Sequence, residues 1–267
     1  MFIKKSKAFL IISALAFLSV LIEQNFSFSP VNAEQESKAK PAEYTLALTW
    51  HRGFCLFNDH KKECDQYNVT SYAEDNFVLH GLWPGPKGQF YCGADLNSYG
   101  LSKDLIDIDK RSSNWRRLPD MKLPSQIKQE LFQKMPGAQS FLHRHEWIKH
   151  GTCFHQRDPI SYYKTSFKLQ DFINHSLLKN FIMRNKGKNI TLRQLQSAFD
   201  TAYGKGAGNK IYMRCKSHQG RMIVTELRIN LYGSLSSNMV LNKEIFTQLI
   251  ENSSQLSGSN CKSGQLI

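Results

Sequence analysis

The sequence lacks a hydrophobic run long enough to cross a membrane. Its apolar run from Ala8 to Ile22 has about 15 residues, whereas a membrane-spanning helix needs about 20. Lysines precede this run, and the small-residue sequence Val31-Asn32-Ala33 follows it, as in a cleavable export signal. We therefore expect residues 1–33 to be a signal peptide cleaved after Ala33. The mature protein is then periplasmic or secreted and makes no membrane contact.

The sequence also lacks a CxxC pair, a spacing typical of zinc sites and redox centres. All 6 cysteines lie after residue 33, and an even number in an oxidising compartment favours three disulfides over metal ligation. At this point every pairing remains open. The glycine-rich stretch YGKGAGNK at 203–210 lacks the GK[ST] ending of a phosphate-binding loop. We therefore expect a plain turn there and no cofactor.

Acidic residues are scarce. The chain has 22 Asp and Glu against 35 Lys and Arg, a formal net charge of +13, which becomes +11 without residues 1–33. Such an excess can serve solubility alone. It also suits a polyanion, because lysine and arginine displace counterions from phosphates while aromatic residues, 12% of this chain, stack on bases.

Linkers, repeats and low-complexity segments are absent after a polar leader at 34–43, so we expect a single domain over 44–267. Hydrophobic periodicity predicts helices at about 124–135, 160–183 and 191–203. It predicts strands at 44–50, 77–83, 210–215 and 222–232. Because helices and strands are mixed rather than strictly alternating, the sequence favours an α+β fold with a central antiparallel sheet packed against several helices.

The zinc-peptidase sequence HExxH is absent, and the nearest pattern, HEWIKH, is one residue longer. In HExxH the two histidines lie about 40° apart around a helix, whereas His145 and His150 would lie about 140° apart. Lys149 would lie between them and repel a dication. We therefore expect no metal here. Trp147 falls on the opposite side of the helix, where we expect the core, and a merely solvated polar face remains the alternative for this segment alone.

A second segment, FVLHGLWPG at 77–85, places His80 inside an otherwise apolar strand that ends at Pro84. A single histidine in such a strand is usually a core residue. Here, however, FVLHGLWP and HEWIKHGTC occur together, in this order and about 65 residues apart. The two segments resemble the two active-site segments of the ribonuclease T2 family, and the resemblance extends over roughly residues 44–232.

The resemblance implies a disulfide-stabilised endoribonuclease that cleaves single-stranded RNA without a metal. The ribose 2′-OH attacks the adjacent phosphate to give a 2′,3′-cyclic phosphate, which is then hydrolysed to a 3′-phosphate. By resemblance, His150 is the general base and His80 the general acid, since histidine can exchange protons near neutral pH. Lys149, supported by His145 and Glu146, stabilises the charge on the phosphate, and Glu146 orients a neighbour or holds a proton itself.

Base binding is the weaker part of the resemblance. Trp83 fits a base site better than core packing, whereas Phe90 and Tyr91 suit substrate binding and core or lid packing equally well. Some family members have an acidic residue after the proline of the first segment, where this chain has Gly85, so we expect broad base specificity. The family also implies three cysteine pairs, Cys92 with Cys153, Cys55 with Cys64, and Cys215 with Cys261.

Two other functions compete with this interpretation. A secreted RNA-binding or toxin-like protein of the same fold could have lost turnover, but it would then be free to lose a histidine or the lysine, and this chain retains all five polar positions. A metal-dependent hydrolase is disfavoured by the HExxxH spacing. We expect a monomer that acts on RNA.

Overall fold

The computed structural model describes residues 40–65, 71–85, 88–92, 103–156, 158–256 and 259–267, which belong to one compact unit. The expected signal peptide, its cleavage site and most of the expected leader lie outside the described residues. The first strand begins at Ala42, two residues before the predicted segment. Among the described residues, no helix is long and apolar enough to cross a membrane.

A sheet of six strands forms the centre of the described part of the chain. The strands are β1 Ala42–Trp50, β2 Phe77–Pro84, β3 Asn189–Thr191, β4 Ile211–His218, β5 Arg221–Gly233 and β6 Ser263–Gln265. Their order is β2-β1-β5-β6-β3, and β4 also pairs with β5. The pairs are antiparallel except for a short parallel contact between β5 and β6. The predicted α+β fold with a largely antiparallel sheet is confirmed.

The described helices surround this sheet. They are α1 His51–Cys55, α2 Ser71–Asp75, α3 Lys103–Asp109, α4 Ser125–Lys134, α5 Leu142–Lys149, α6 Pro159–Asn174, α7 Leu177–Arg184, α8 Leu192–Tyr203 and α9 Lys243–Glu251. Short 3-10 turns occupy Lys62–Cys64, Ser112–Arg117, Pro136–Ser140, Gly151–Cys153 and Ala207–Lys210.

Local sequence explains where several helices begin. The side chain of Asp158 accepts hydrogen bonds from the first turn of α6, and Thr191 forms a capping box with Gln194 at the start of α8. The pattern at 160–183 predicted one helix, but the structure has two. Ser176 has extended backbone (φ −99°, ψ 172°), so the chain leaves the helical conformation between α6 and α7.

Helix α6 packs against β2 through buried polar contacts as well as apolar ones. The Tyr162 hydroxyl donates to the backbone oxygen of Leu82 at 2.9 Å and accepts from its N–H at 3.2 Å. Gln170 donates to the backbone oxygen of Phe77 at 3.0 Å. Because each buried partner is satisfied only in this arrangement, these bonds fix β2 on the core.

A β-bulge interrupts β2 at His80. Ala47 of β1 pairs with Gly81, whereas the next residue, Leu48, pairs with Leu79. His80 is therefore the extra residue, and a bulge redirects the side chain that it carries. The regular alternation of side chains along a strand therefore fails at His80, for which the sequence predicts acid-base chemistry.

The structure contains the three disulfides expected from the family, Cys55–Cys64, Cys92–Cys153 and Cys215–Cys261. The second joins the segment that follows β2 to the turn that follows α5. It therefore links the two halves of the candidate site.

Candidate active site

His80 is held through one ring nitrogen and presents the other. Its Nδ1 lies 2.6 Å from Glu226 Oε2, while its Nε2 lies 3.5 Å from Glu146 Oε1. The side chain is 28% exposed. Burial lowers the pKa of His80, but the charge and hydrogen bond of Glu226 and the charge of Glu146 outweigh it, so the pKa is raised.

Glu226, on β5, was missed by the sequence analysis. Its Oε1 accepts from Arg228 Nε at 2.6 Å and lies 3.8 Å from Arg214 Nη1. Burial raises the pKa of Glu226, but His80 and Arg228 together lower it to about 2, so the carboxylate is ionised. The sequence did contain a sign of this residue's role, because Glu226 lies inside the apolar strand MIVTELRINLY. A buried carboxylate is rare without a partner.

Helix α5 supplies Glu146 from a firmly packed position. Trp147 and Ile148 are buried at 4% and 5% exposure, as the helix geometry predicted, and Glu146 is fully buried. Trp83 Nε1 donates to Glu146 Oε2 at 2.8 Å, while Glu146 Oε1 has no hydrogen-bond partner within the described part of the chain. Burial raises the pKa of Glu146, opposed by nearby positive charges and by the Trp83 hydrogen bond, so this carboxyl group can hold a proton.

His150 follows the last residue of α5 and is buried at 5% exposure. Its ring stacks near Trp83, with centroids 5.3 Å apart and planes at 29°, and meets the edge of Phe90 at 5.2 Å. Burial first, and then the charges of Lys149, His145 and His80, lower the pKa of His150 to about 2. The imidazole is therefore neutral, and its buried Nδ1 has no hydrogen-bond partner among the described residues.

The structure brings the polar residues of HEWIKH closer together than their helical angles predicted. The helical angle of about 140° assumed that α5 continues through His150, but the helix ends at Lys149 and His150 has φ −114°. One ligand atom each from His145, Glu146 and His150 therefore lie within 4.8 Å of one another. These side chains could contact a cation, so the angular argument against a metal is wrong, whereas the adjacent positive charge of Lys149 still opposes one. The expected absence of a metal stays a prediction.

His145 is held by a second buried carboxylate that the sequence analysis missed. Its Nδ1 lies 2.9 Å from Asp109 Oδ1, and its ring stacks on Trp115 at 4.4 Å with planes at 19°. Asp109 also accepts from the Tyr91 hydroxyl at 2.8 Å, and its backbone oxygen accepts from Trp115 Nε1 at 2.9 Å. Asp109 comes from α3, where the sequence offers only three similar aspartates in KDLIDID.

Lys149 and the segment before Cys92 form the outer edge of the site. The Lys149 ammonium group lies 5.0 Å from the centre of the Phe90 ring, and Phe90 is 45% exposed. The Tyr91 N–H donates to the Lys149 backbone oxygen at 2.9 Å. Tyr91 therefore braces Asp109 and α5, while Phe90 presents an aromatic surface to solvent.

Trp83 lies at the centre of the candidate residues. Its ring centroid is 5.3 Å from that of His80 and 5.3 Å from that of His150, and the Arg228 guanidinium carbon is 4.8 Å from it. Trp83 is half-buried. Of the five polar residues predicted from the two segments, Trp83 thus contacts His80, Glu146 and His150. His145 Nε2 lies 3.9 Å from Glu146 Oε1, and Lys149 lies beside Phe90.

Comparison with known proteins gives a family and a fold. The family model described as the Ribonuclease T2 family matches residues 42–250. Ribonuclease I of Escherichia coli (strain K12) is 31% identical over 201 residues, covering 70% of this chain and 74% of that protein. Extracellular ribonuclease LE of Solanum lycopersicum is 29% identical over 160 residues, covering 58% and 62%.

Solved structures agree with the fold. A crystal structure of a variant of ribonuclease MC1, a protein from bitter gourd seeds, superposes with a TM-score of 0.52 at 14% identity, covering 84% of this chain and 99% of that one. A second variant of the same protein, in complex with 5′-UMP, gives a TM-score of 0.51 at 14% identity and covers 85% and 98%. At this identity the likeness establishes the fold alone.

Proposed function

The chain belongs to the ribonuclease T2 family and is a T2-type endoribonuclease, and from this premise we propose how it acts. It cleaves single-stranded RNA by acid-base transesterification that needs no metal, through a 2′,3′-cyclic phosphate to a 3′-phosphate. His150 and His80 exchange the protons, and Glu146, Lys149 and His145 stabilise the phosphate.

In the first step His150 removes the proton of the ribose 2′-OH, and the 2′-oxygen forms a bond to phosphorus. The bond from phosphorus to the 5′-oxygen breaks, and His80 protonates the departing oxygen. In the second step His80 takes a proton from water, the new hydroxide opens the cyclic phosphate, and His150 returns its proton to the 2′-oxygen. Each positioned transfer typically contributes about 10² to 10⁴ in rate.

The observation that carries this proposal is the opposite environment of the two histidines. Two carboxylates face His80 and raise its pKa, so it is the protonated partner. Burial and three positive neighbours lower the pKa of His150 to about 2, so it is the neutral partner. A pair of groups whose pKa values are pushed apart in one site is the pattern expected of a general acid and a general base.

The remaining polar residues face the charge that develops on phosphorus. Lys149 contributes a positive charge, and His145 is oriented by Asp109 at 2.9 Å. Glu146 acts indirectly, because its Oε1 lies 3.5 Å from His80 Nε2 and 3.9 Å from His145 Nε2 and orients these two histidines toward the phosphate. Such donors act most strongly where water is excluded.

We assign base stacking to Phe90, because its ring is 45% exposed beside the ammonium group of Lys149. Trp83 contributes to the same base site, although its ring already contacts His150 and Arg228. Tyr91 acts indirectly, through Asp109. Gly85 supplies no side chain after Pro84 that could select a base, which supports broad specificity.

The wider setting is also proposed. The basic apolar start and Val31-Asn32-Ala33 support export and cleavage after Ala33, which leaves a monomeric catalytic domain over 44–267. Among the relatives, one is named extracellular and another intracellular. The inactive RNA-binding alternative has no supporting observation, since all five polar residues of the predicted machinery converge.

Purified mature protein should therefore cleave single-stranded RNA in excess EDTA and leave cyclic or 3′-phosphate ends. His80→Ala and His150→Ala should each lose at least about 10² in kcat. His60→Ala is the matched control, because His60 is 74% exposed and pairs with Asp59 rather than with a residue of the site. Cleavage of a 2′-deoxy strand would refute the mechanism. Loss of activity in EDTA would make the contact of His145, Glu146 and His150 a metal site.

A further inference from the structure

We propose that Glu226 is a positioning residue for His80, which it holds through Nδ1 so that Nε2 alone faces the reacting phosphate. The inference rests on the proposed function, since it assigns His80 the role of general acid. It concerns a residue 146 positions further along the chain, outside both sequence segments that predict the site.

The contact is built by the sheet itself. His80 is the bulged residue of β2, and a second bulge in β5 leaves Thr225 unpaired, because Arg214 pairs with Glu226 while Cys215 pairs with Val224. Strands β2 and β5 lie on either side of β1, and each has a bulge at or next to the residue that makes the contact. The contact itself joins His80 and Glu226 at 2.6 Å. Bulges commonly re-aim side chains beside active sites.

Glu226 is itself held in place. Its side chain is 7% exposed, Arg228 Nε donates to Oε1 at 2.6 Å, and Arg214 lies at 3.8 Å. Oε2 is thereby left for His80. The Arg228 guanidinium also covers the ring of Trp83 at 4.8 Å, so the carboxylate, its counterion and the central tryptophan form one connected unit.

This arrangement sets the protonation states that the reaction needs. With both nitrogens protonated, His80 donates to Glu226 through Nδ1 and can pass the Nε2 proton to the departing 5′-oxygen. The neutral imidazole that remains keeps its Nδ1 proton, because Glu226 accepts from it. Nε2 then carries the lone pair, which is the form that removes a proton from water in the second step.

The carboxylate also sets the pH range in which His80 is protonated. The charged and titratable groups around it are Glu226, Arg228 and Arg214 from the sheet, and Glu146 and His150 from the α5 region. Burial and Arg228 lower the pKa of His80, while the two carboxylates raise it. Replacing Glu226 by a neutral side chain removes the largest raising influence, so the alkaline limb of the kcat profile should move to lower pH.

The test compares Glu226→Gln, Glu226→Asp, His80→Ala and a control, Glu63→Gln. Glu63 is as buried as Glu226, at 2% against 5%, but its partners are Ser140 and, through its backbone oxygen, His51. For each protein, kcat and KM are measured against pH on a dinucleotide substrate. The His80 imidazole is titrated by NMR in the absence of RNA, its signal assigned by its loss in His80→Ala.

We expect Glu226→Gln to lower kcat roughly 10- to 100-fold, less than the 10²- to 10⁴-fold expected when the acid is removed. KM should change little, and the alkaline limb and the NMR pKa of His80 should both fall. Glu226→Asp retains the charge, so its kcat and its alkaline limb should lie between those of Glu226→Gln and wild type. This variant also serves as the test if Glu226→Gln does not fold. Glu63→Gln should keep the wild-type kcat and limb.

Two results would overturn the inference, and they are distinguishable. If His80→Ala is inactive but both Glu226 variants keep the wild-type kcat and alkaline limb, Glu226 does not position His80 and the proposed function stands. If His80→Ala itself keeps wild-type activity, the acid role of His80 fails, and the positioning role of Glu226 fails with it.

Discussion

A Cβ atom added at Gly81 would collide with the buried carboxyl group of Glu146. A Cβ atom on this residue would lie 2.7 Å from Glu146 Cδ and 2.8 Å from Trp83 Nε1, and would overlap Glu146 Oε2. Cβ atoms essentially never approach other heavy atoms within 3.0 Å. In Gly81→Ala the Glu146 carboxyl group must therefore move, and its 2.8 Å hydrogen bond from Trp83 must break or bend.

The size of the effect follows from the displacement. Relief of the overlap needs a shift of roughly 1 Å, and a misplacement of that size in a reacting constellation can cost about 10²-fold in rate. We expect kcat of Gly81→Ala to fall by about 10², equivalent to about 2.7 kcal/mol. KM should change less, because Phe90, the proposed base-stacking residue, lies on a different segment.

Steady-state cleavage of a dinucleotide and thermal unfolding should be measured together. Gly208→Ala is the matched control, since a Cβ there would lie 2.6 Å from the Gln196 backbone oxygen, outside the site, and should cost stability without lowering kcat. In a Glu146→Ala background, where the carboxyl group is gone, Gly81→Ala should add little further loss. Additive losses, or a wild-type kcat in Gly81→Ala, would refute the argument.

Two further predictions concern stability. Burial, and then the charge of Arg144, lower the pKa of His143 to about 4. The unfolded chain therefore binds a proton that the folded state excludes, and this residue should cost about 3 kcal/mol of unfolding free energy between pH 6.5 and pH 4. Urea denaturation of His143→Gln should lack that share of the loss, and an unchanged pH dependence would contradict the assignment. Replacing Cys92 and Cys153 by serine opens a loop with a separation of 61 residues and should cost roughly 4 kcal/mol. The same change at Cys55 and Cys64, separated by 9, should cost roughly 2.6 kcal/mol, and equal losses in urea denaturation would contradict the loop-entropy argument.

Local sequence patterns predicted the helices and strands that are long enough to show a hydrophobic periodicity of their own. The apolar period after Thr191 predicted the position of α8, and hydrophobic runs predicted the four long strands. The short strands β3 and β6 were not predicted. Each has three residues, too few to show a periodicity, and forms only through pairing with its neighbours. The division of 160–183 at Ser176 was not predicted for a related reason, since the segment contains no proline or glycine that would mark the break.

The residues of the candidate site also fall into those that a short sequence pattern predicted and those that it did not. Neighbouring residues such as Glu146 and Lys149 were predicted together because one short segment carries them. Glu226 and Asp109 were missed, because the contacts that make them important span 146 and 36 residues of chain and depend on bulges and burial that no short pattern encodes. His150 shows most clearly where prediction from a short sequence pattern fails. It is the C-cap of α5 and its φ is −114°, so the regular angle of 100° per residue no longer fixes the direction of its side chain.

The assignment of acid and base does not depend on the resemblance alone. Nothing in FVLHGLWP or HEWIKHGTC says which histidine is protonated, since both have the same intrinsic pKa. The difference arises from residues that the motifs do not contain or do not reveal. Glu226 and its arginine give His80 an ionised partner at 2.6 Å, whereas His150 is buried among like charges with Nδ1 unpartnered. The motifs therefore supply two interchangeable imidazoles, and we infer that the sheet, through the carboxylate on β5, makes one of them the acid.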